Sequence, residues 1–422
     1  MIRAIASRHS GEMKFLLVSS ITPVVSLLVS MVVTRFVLPV EMGIVQSVFL
    51  LLPYAGLLQL GVFSGLNRNL AYYLGRGHPD VAQCMVDASG GYARWLSLVG
   101  ALIGFVFFIV NLCLHTDQFL YLLACASLMI SLLLLPQVQH IETTICSGHQ
   151  FARLANIRLG ETAAFAFASL FPWMLAGLGK VMQDTLRVVV SFVLRWRLQP
   201  YPVRGPVKGA ALKELIQVGF PIALTGYLWT ILSVTDQSVI ALTMGAESLG
   251  HYSLARLAAA LLLVAPQTLG TILYPKASAI FGRTGLPSSL RKHLWASIGI
   301  TAVLVVPICA LGWLWAEPAT LRLFPKYAQG VPSARIAFIG GLACIFQAPG
   351  IVVNVLRRNG PLFVAILTTV AAMWALGLWI AQRGGGLEDV ARLRVGCMFA
   401  LGTFTLLFSL WITRRSAPAD AA

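Results

Sequence analysis

Two oppositely charged residues stand inside the apolar runs of SVTDQSVIALTMGAESLGHYSLARLAAALLLVAPQTLGTILYP, Ser233 to Pro275: Asp236 and Arg256. An ionisable side chain at membrane depth costs at least ~2.5 kcal/mol, so it takes a partner or faces a cavity. If one helix runs from Val218 to Thr243 and the next starts at Leu249, both residues lie about 10 Å from the same surface. Two chemistries fit. In one, Asp236 and Arg256 neutralise each other and pin two helices together. In the other, Arg256 binds an anionic ligand, and Asp236 orients it or takes up a proton. A guanidinium fork matches phosphate oxygens in bidentate fashion. Arg187 is a second embedded cation, with Asp184 one turn before it as a local partner. Arg35 closes the first apolar run, where it either snorkels or adds a third guanidinium. Tyr227, Trp229 and Tyr252 are candidates for stacking on sugar rings, against the alternative of an interfacial aromatic belt.

Other chemistries find little support. The seven cysteines are scattered and none forms a C-x-x-C pair, so each reads as a small buried hydrophobe. His140 and Glu142 stand at i,i+2 and point to different helix faces, which argues against a metal site. No G-x-x-x-x-G-K-[ST] run is present, so ATP hydrolysis is unsupported. GGYARW and RGGGLED read as loop glycines, and no cofactor is expected.

The elements that must carry these residues are membrane helices. The chain has 422 residues, 58% hydrophobic and 11% charged, with mean hydropathy +0.82, where a soluble domain carries about 25% charged residues. Twelve apolar runs are long enough to span: 15–37, 44–66, 91–113, 118–139, 158–177, 180–196, 214–242, 249–274, 294–315, 333–354, 362–382 and 394–413. The first exceeds a signal-peptide core and reads as an uncleaved span. Only helices and closed barrels satisfy their backbone in lipid, and these runs lack strand alternation.

With the N-terminus inside, the inner segments hold twenty-one basic residues: Arg3, Arg8, Lys14, Arg68, Arg76, Arg94, Arg153, Arg158, Arg195, Arg197, Arg204, Lys208, Lys213, Lys276, Arg283, Arg291, Lys292, Arg357, Arg358, Arg414 and Arg415. The outer segments hold seven: Lys180, Arg322, Lys326, Arg335, Arg383, Arg392 and Arg394. That bias follows the positive-inside rule and puts both termini in the cytoplasm. The net charge of +16 is then topology plus attraction to anionic membrane lipids. Basic residues split among short loops argue against a nucleic-acid partner.

A shift of 207 residues lays Gly43 on Gly250 and Gly75-Arg76 on Gly282-Arg283, and span one on span seven. The expected fold is therefore all-α and polytopic: twelve transmembrane helices in two six-helix bundles related by a pseudo-two-fold axis along the membrane normal. The bundles are 1–196 and 214–422, joined by a cytoplasmic linker at 197–213. Such paired bundles are a transporter architecture. Pro23 and Pro221 could bend the first helix of each half. Glu142 and Glu161 read as interface charges near the cytoplasmic ends of spans four and five.

VTRFVLPVEMGIVQSVF resembles the start of the Wzx-type polysaccharide-lipid flippases of the multidrug/oligosaccharidyl-lipid/polysaccharide exporter superfamily. TDQSVIALTMGAESLGHYSLARLAAAL, followed by LYPKAS, is similar to that family's seventh and eighth helices, with Asp236, Gly250, Tyr252 and Pro275 at the matching positions. Gln237 departs from the basic residue expected after the Asp. The resemblance implies transfer of an undecaprenyl-diphosphate-linked oligosaccharide from the cytoplasmic to the periplasmic leaflet of a bacterial inner membrane, with no bond made or broken. It also implies membrane lipids as surroundings, and a polysaccharide polymerase or chain-length proteins as partners. A cation-coupled multidrug exporter of the same superfamily is the alternative; it would favour an acidic, aromatic cavity. A membrane glycosyltransferase or polymerase would need a large outer loop, and the outer loops here are short.

Overall fold

The computed structural model describes residues 2–114, 118–356 and 358–414. Arg357 and Arg415, counted above among the loop cations, lie outside the described residues, as do the side chains of Arg3, Arg8 and Pro275. Among the described residues every regular element is helical. The helices are α1 (Ile2–Phe36), α2 (Pro39–Phe49), α3 (Leu51–Ala55), α4 (Val62–Gly75), α5 (Pro79–Leu114), α6 (Phe119–Ser147), α7 (Phe151–Phe167), α8 (Leu170–Leu198) and α9 (Gly209–Thr243). They continue as α10 (Gly245–Thr284), α11 (Arg291–Leu323), α12 (Val331–Gly340), α13 (Ala343–Gln347), α14 (Gly350–Val355), α15 (Asn359–Gln382) and α16 (Leu387–Thr413).

Each of the twelve expected spans falls on helix. Nine segments of the described residues are long and apolar enough to cross a membrane, and a bent pair, α7 with α8, makes a tenth. Helix α10, with 40 residues, is about 60 Å long and also exceeds the hydrocarbon thickness. The protein is an all-α, multi-pass membrane protein.

The helices are less regular than hydropathy alone suggests. The second span, expected as one helix, breaks between α3 and α4. A 3₁₀ turn at Gly56–Gln59 ends at Leu60 (φ 47°) and Gly61 (φ 75°). An interrupted backbone at membrane depth needs protein partners for its freed groups. Here the Tyr92 hydroxyl donates to the Leu58 carbonyl at 2.6 Å. Likewise α7 and α8 meet at 87°, and α8 holds a second irregularity at Ala176 (φ 49°, ψ −122°). The tenth span is segmented into α12, α13 and α14.

The chain divides into two compact units, Met1–Thr230 and Ile231–Ala422. In the first, α4 and α9 cross at backbone contact. A Cβ on Gly61 would lie 2.5 Å from the Gly219 carbonyl carbon, and one on Gly65 or Gly219 would collide with the facing backbone. Small residues four apart allow that approach. Beside the crossing, Val62, Leu66 and Leu70 pack with Met85, Val86 and Leu215 in a closed apolar cluster.

GGYARW is not a loop: Gly90 and Gly91 lie inside α5. Their missing side chains make room for the stretch after α8, because a Cβ on either would strike Val203 or Val207. Part of the expected 197–213 linker is thus fastened to α5. Asp87 accepts from the Arg204 backbone N–H at 2.8 Å, and Gln83 donates to the Pro202 carbonyl at 2.9 Å. RGGGLED does form a turn, with Gly384 at φ 76°.

The second unit packs α12 against α10, α11 and α16, and α15 along α16. Leu262, Val305 and Cys309 form a small apolar centre there.

Candidate functional site

In the second unit, α9 presents Asp236 one turn after Leu232 on its buried side. The side chain is 0% exposed. Its partner is Arg394 on α16, not Arg256. The Arg394 Nη1 and Asp236 Oδ2 form an ion pair, and Tyr252 on α10 donates its hydroxyl to the same oxygen at 2.6 Å. Asp236 Oδ1 is buried without a hydrogen-bond partner among the described residues. Three helices of one unit are thus clasped at one carboxylate. The expectation failed because α16 starts at Leu387, seven residues before the apolar run begins. That carries Arg394 about 10 Å into the helix rather than leaving it outside.

Arg256 is exposed on α10, one turn beyond Tyr252. Tyr252 itself is 1% exposed, so its ring offers no free face to a sugar, and the stacking role is corrected to that of a hydrogen-bond donor. Tyr227 and Trp229 are half-buried, and the Tyr227 hydroxyl donates to Gln59 Oε1 at 3.4 Å. Asp184 pairs with Lys180 rather than with Arg187. Arg187 is exposed and lies over the Phe165 ring, 4.7 Å from its centroid. Arg35 is exposed in the last turn of α1.

Several hydroxyls of spans one and seven are occupied within their own helices. Ser30 and Thr34 donate to the carbonyls four residues back, as do Thr235 and Ser238. That is the packing role of Ser and Thr in membrane helices.

The first unit holds a charged cluster that the sequence did not assemble. Arg195, expected in the middle loop, lies within α8 with its side chain 5% exposed. It bonds Glu142 Oε2 on α6 at 2.9 Å, pairs with Glu161 on α7, and donates to Ser191 Oγ at 2.6 Å. Arg158 on α7 reaches the other oxygen of Glu142 at 3.3 Å and donates to Ser19 Oγ on α1 at 2.9 Å. Two guanidiniums and two carboxylates balance, which is the condition for holding charge in an apolar setting. Glu142 and Glu161, expected as interface charges, share Arg195 instead. The signal that could have joined them is their position within about one turn of the ends of adjoining spans. The neighbouring His140 faces elsewhere, with Nδ1 3.1 Å from Ser89 Oγ. Among the described residues no group of three or more His, Cys, Asp or Glu side chains could hold a metal ion.

The architecture is therefore a polytopic helical fold with paired charges inside each unit. The profile of a family described as polysaccharide biosynthesis protein matches residues 32–327, and the chain belongs to that family. Solved structures of similar fold include an inward-facing multidrug resistance MATE family transporter of the MOP superfamily. It is 13% identical, with TM-score 0.69, covering 95% of this chain and 100% of that one. The lipid II flippase MurJ in an inward closed conformation is 11% identical, with TM-score 0.70, covering 94% and 87% of the two chains. A MOP superfamily transporter from Pyrococcus furiosus, described as having a binding pocket of reverse polarity, is 13% identical, with TM-score 0.64 and 96% coverage of each chain. Comparison with curated protein sequences gives no match. The family and the fold agree with the resemblance drawn from the sequence.

Proposed function

We propose that the protein moves a lipid-linked oligosaccharide, held through its diphosphate, from the cytoplasmic to the periplasmic leaflet of a bacterial inner membrane. The observation that carries this reading is the match to a polysaccharide biosynthesis family on a chain with the fold of membrane transporters. MurJ is named a lipid II flippase, so a lipid-linked cargo is compatible with this fold. In this reading the halves 1–196 and 214–422 are the moving bodies of alternating access, and the basic inner loops keep both termini in the cytoplasm. Arg256, Arg187 and Arg35 supply guanidiniums to the anionic group along the route. Tyr227 and Trp229 remain the candidates for contact with sugar. A polymerase or chain-length protein would take the product.

The test is polymer output. Arg256→Ala should reduce surface polysaccharide while the protein stays at normal level in the membrane. Full polymer output at normal protein level would remove Arg256 from the route. Cation-coupled multidrug export, the reading suggested by the MATE-type fold, predicts dye efflux from whole cells and no polymer defect on deletion.

A further inference from the structure

The four-charge cluster of the first unit has the form of an occupied anion site. One carboxylate, Glu142, spans two guanidiniums: Oε1 takes Arg158 Nη2 at 3.3 Å and Oε2 takes Arg195 Nη2 at 2.9 Å. Two oxygens bridging two forks is what a phosphate or diphosphate would do in the same place. The donors are not exhausted. Arg195 Nε is buried with no hydrogen-bond partner among the described residues, and Arg158 Nη1 meets only the neutral Ser19 hydroxyl at 2.9 Å. Thr22 on α1 lies one turn further along, its hydroxyl oxygen 3.3 Å from that of Thr162, whose own proton goes to the Arg158 carbonyl at 2.7 Å. Glu142 and Arg158 are each 30% exposed, so this side of the cluster is open while Arg195 is enclosed. Glu161 pairs with Arg195 independently, so Arg195 keeps a counter-charge if Glu142 leaves.

We infer that Glu142 is a built-in occupant of a diphosphate-binding site formed by Arg158 and Arg195, displaced when a diphosphate takes its place. The source of that diphosphate, a lipid-linked sugar, rests on the function proposed above. The cluster lies within about 15 Å of the helix ends that flank residues 148–150 and 199–208. The basic-residue bias assigns that end to the cytoplasm, where a cargo would load. An internal carboxylate competitor keeps the site neutral when empty, and it weakens binding enough for release.

The experiment is calorimetric titration of the purified full chain in detergent with inorganic pyrophosphate. Glu142→Gln keeps the shape but removes the competing charge, and should tighten pyrophosphate binding about tenfold. Adding Arg158→Lys, which keeps the charge but loses the fork, should reverse most of that gain. If Glu142→Gln does not fold, Glu142→Asp, too short to span both guanidiniums, should give a gain of the same sign. Binding by Glu142→Gln or Glu142→Asp equal to or weaker than the parent chain overturns the inference and makes the cluster purely structural. A parallel titration uses a short-chain isoprenyl diphosphate. Tighter binding than pyrophosphate supports the site and the lipid-linked cargo together. Binding no tighter than pyrophosphate, with the Glu142→Gln gain intact, supports the site and overturns the lipid-linked cargo.

Discussion

Glu142, Arg158, Glu161 and Arg195 spread their charge over three helices, and each arginine has more than one polar partner. Asp236, Tyr252 and Arg394 also join three helices, but both bonds to the carboxylate converge on one oxygen. The first arrangement is redundant and open along one side. The second is sealed, with a carboxylate that has no access to water. When Glu142 leaves, Arg195 keeps Glu161 and only Arg158 loses its counter-charge, which an incoming anion replaces, as a binding site requires. Convergence means that losing one partner strands a buried charge, as suits a permanent clasp. Similar residue types thus serve opposite purposes, and the difference lies in exposure and in how the partners are shared.

Arg394→Ala gives the sharpest way to break this contrast. It strands Asp236 and should cost about 3–5 kcal/mol, read as loss of thermal stability of the purified protein in detergent. Replacing both charges with apolar residues, Asp236→Leu with Arg394→Met, should restore most of that loss. A single-mutant cost no larger than that of a surface arginine would refute the sealed clasp. Tyr252→Phe removes one hydrogen bond to a charged group and should cost about 1.5–3 kcal/mol in the same measurement. Glu142→Gln should cost only about 1 kcal/mol, because Arg195 keeps Glu161 and the site is partly open. A loss as large as that of Arg394→Ala would show that the first cluster is also a clasp. Arg392→Ala is the baseline. Its pairs with Glu388 and Asp389 are surface contacts, with Arg392 61% exposed, and the change should stay within about 0.5 kcal/mol.

The sequence made the spans legible because hydrophobic length is a local property. It also marked Asp236 as anomalous, and the anomaly was real. Its partner was not legible, since Arg394 lies 158 residues away and the nearest base along the hairpin was Arg256. A common cause hid both Arg394 and Arg195. Arg394 is the first residue of the expected run 394–413 and Arg195 the last but one of 180–196, so a charge at the edge of a span, neutralised inside the helix, looks like a residue of the flanking loop. Helices α16 and α8 run past those points. The break at Leu60 and Gly61 was hidden for the converse reason. It lies in an apolar run, and hydropathy does not register backbone dihedrals.

The contact of Gly61 and Gly65 with Gly219 has a mechanical consequence. Helices that meet through side chains lock like gear teeth, and changing their angle means lifting one row over another. Where bare backbone rests on bare backbone there are no teeth. At the crossing of α4 and α9 the teeth stand to one side instead: Asn69 and Tyr73 on α4 donate to Glu214 on α9 at 2.8 and 2.9 Å, which fixes the angle, while the backbone gap is too fine to admit a single methyl group.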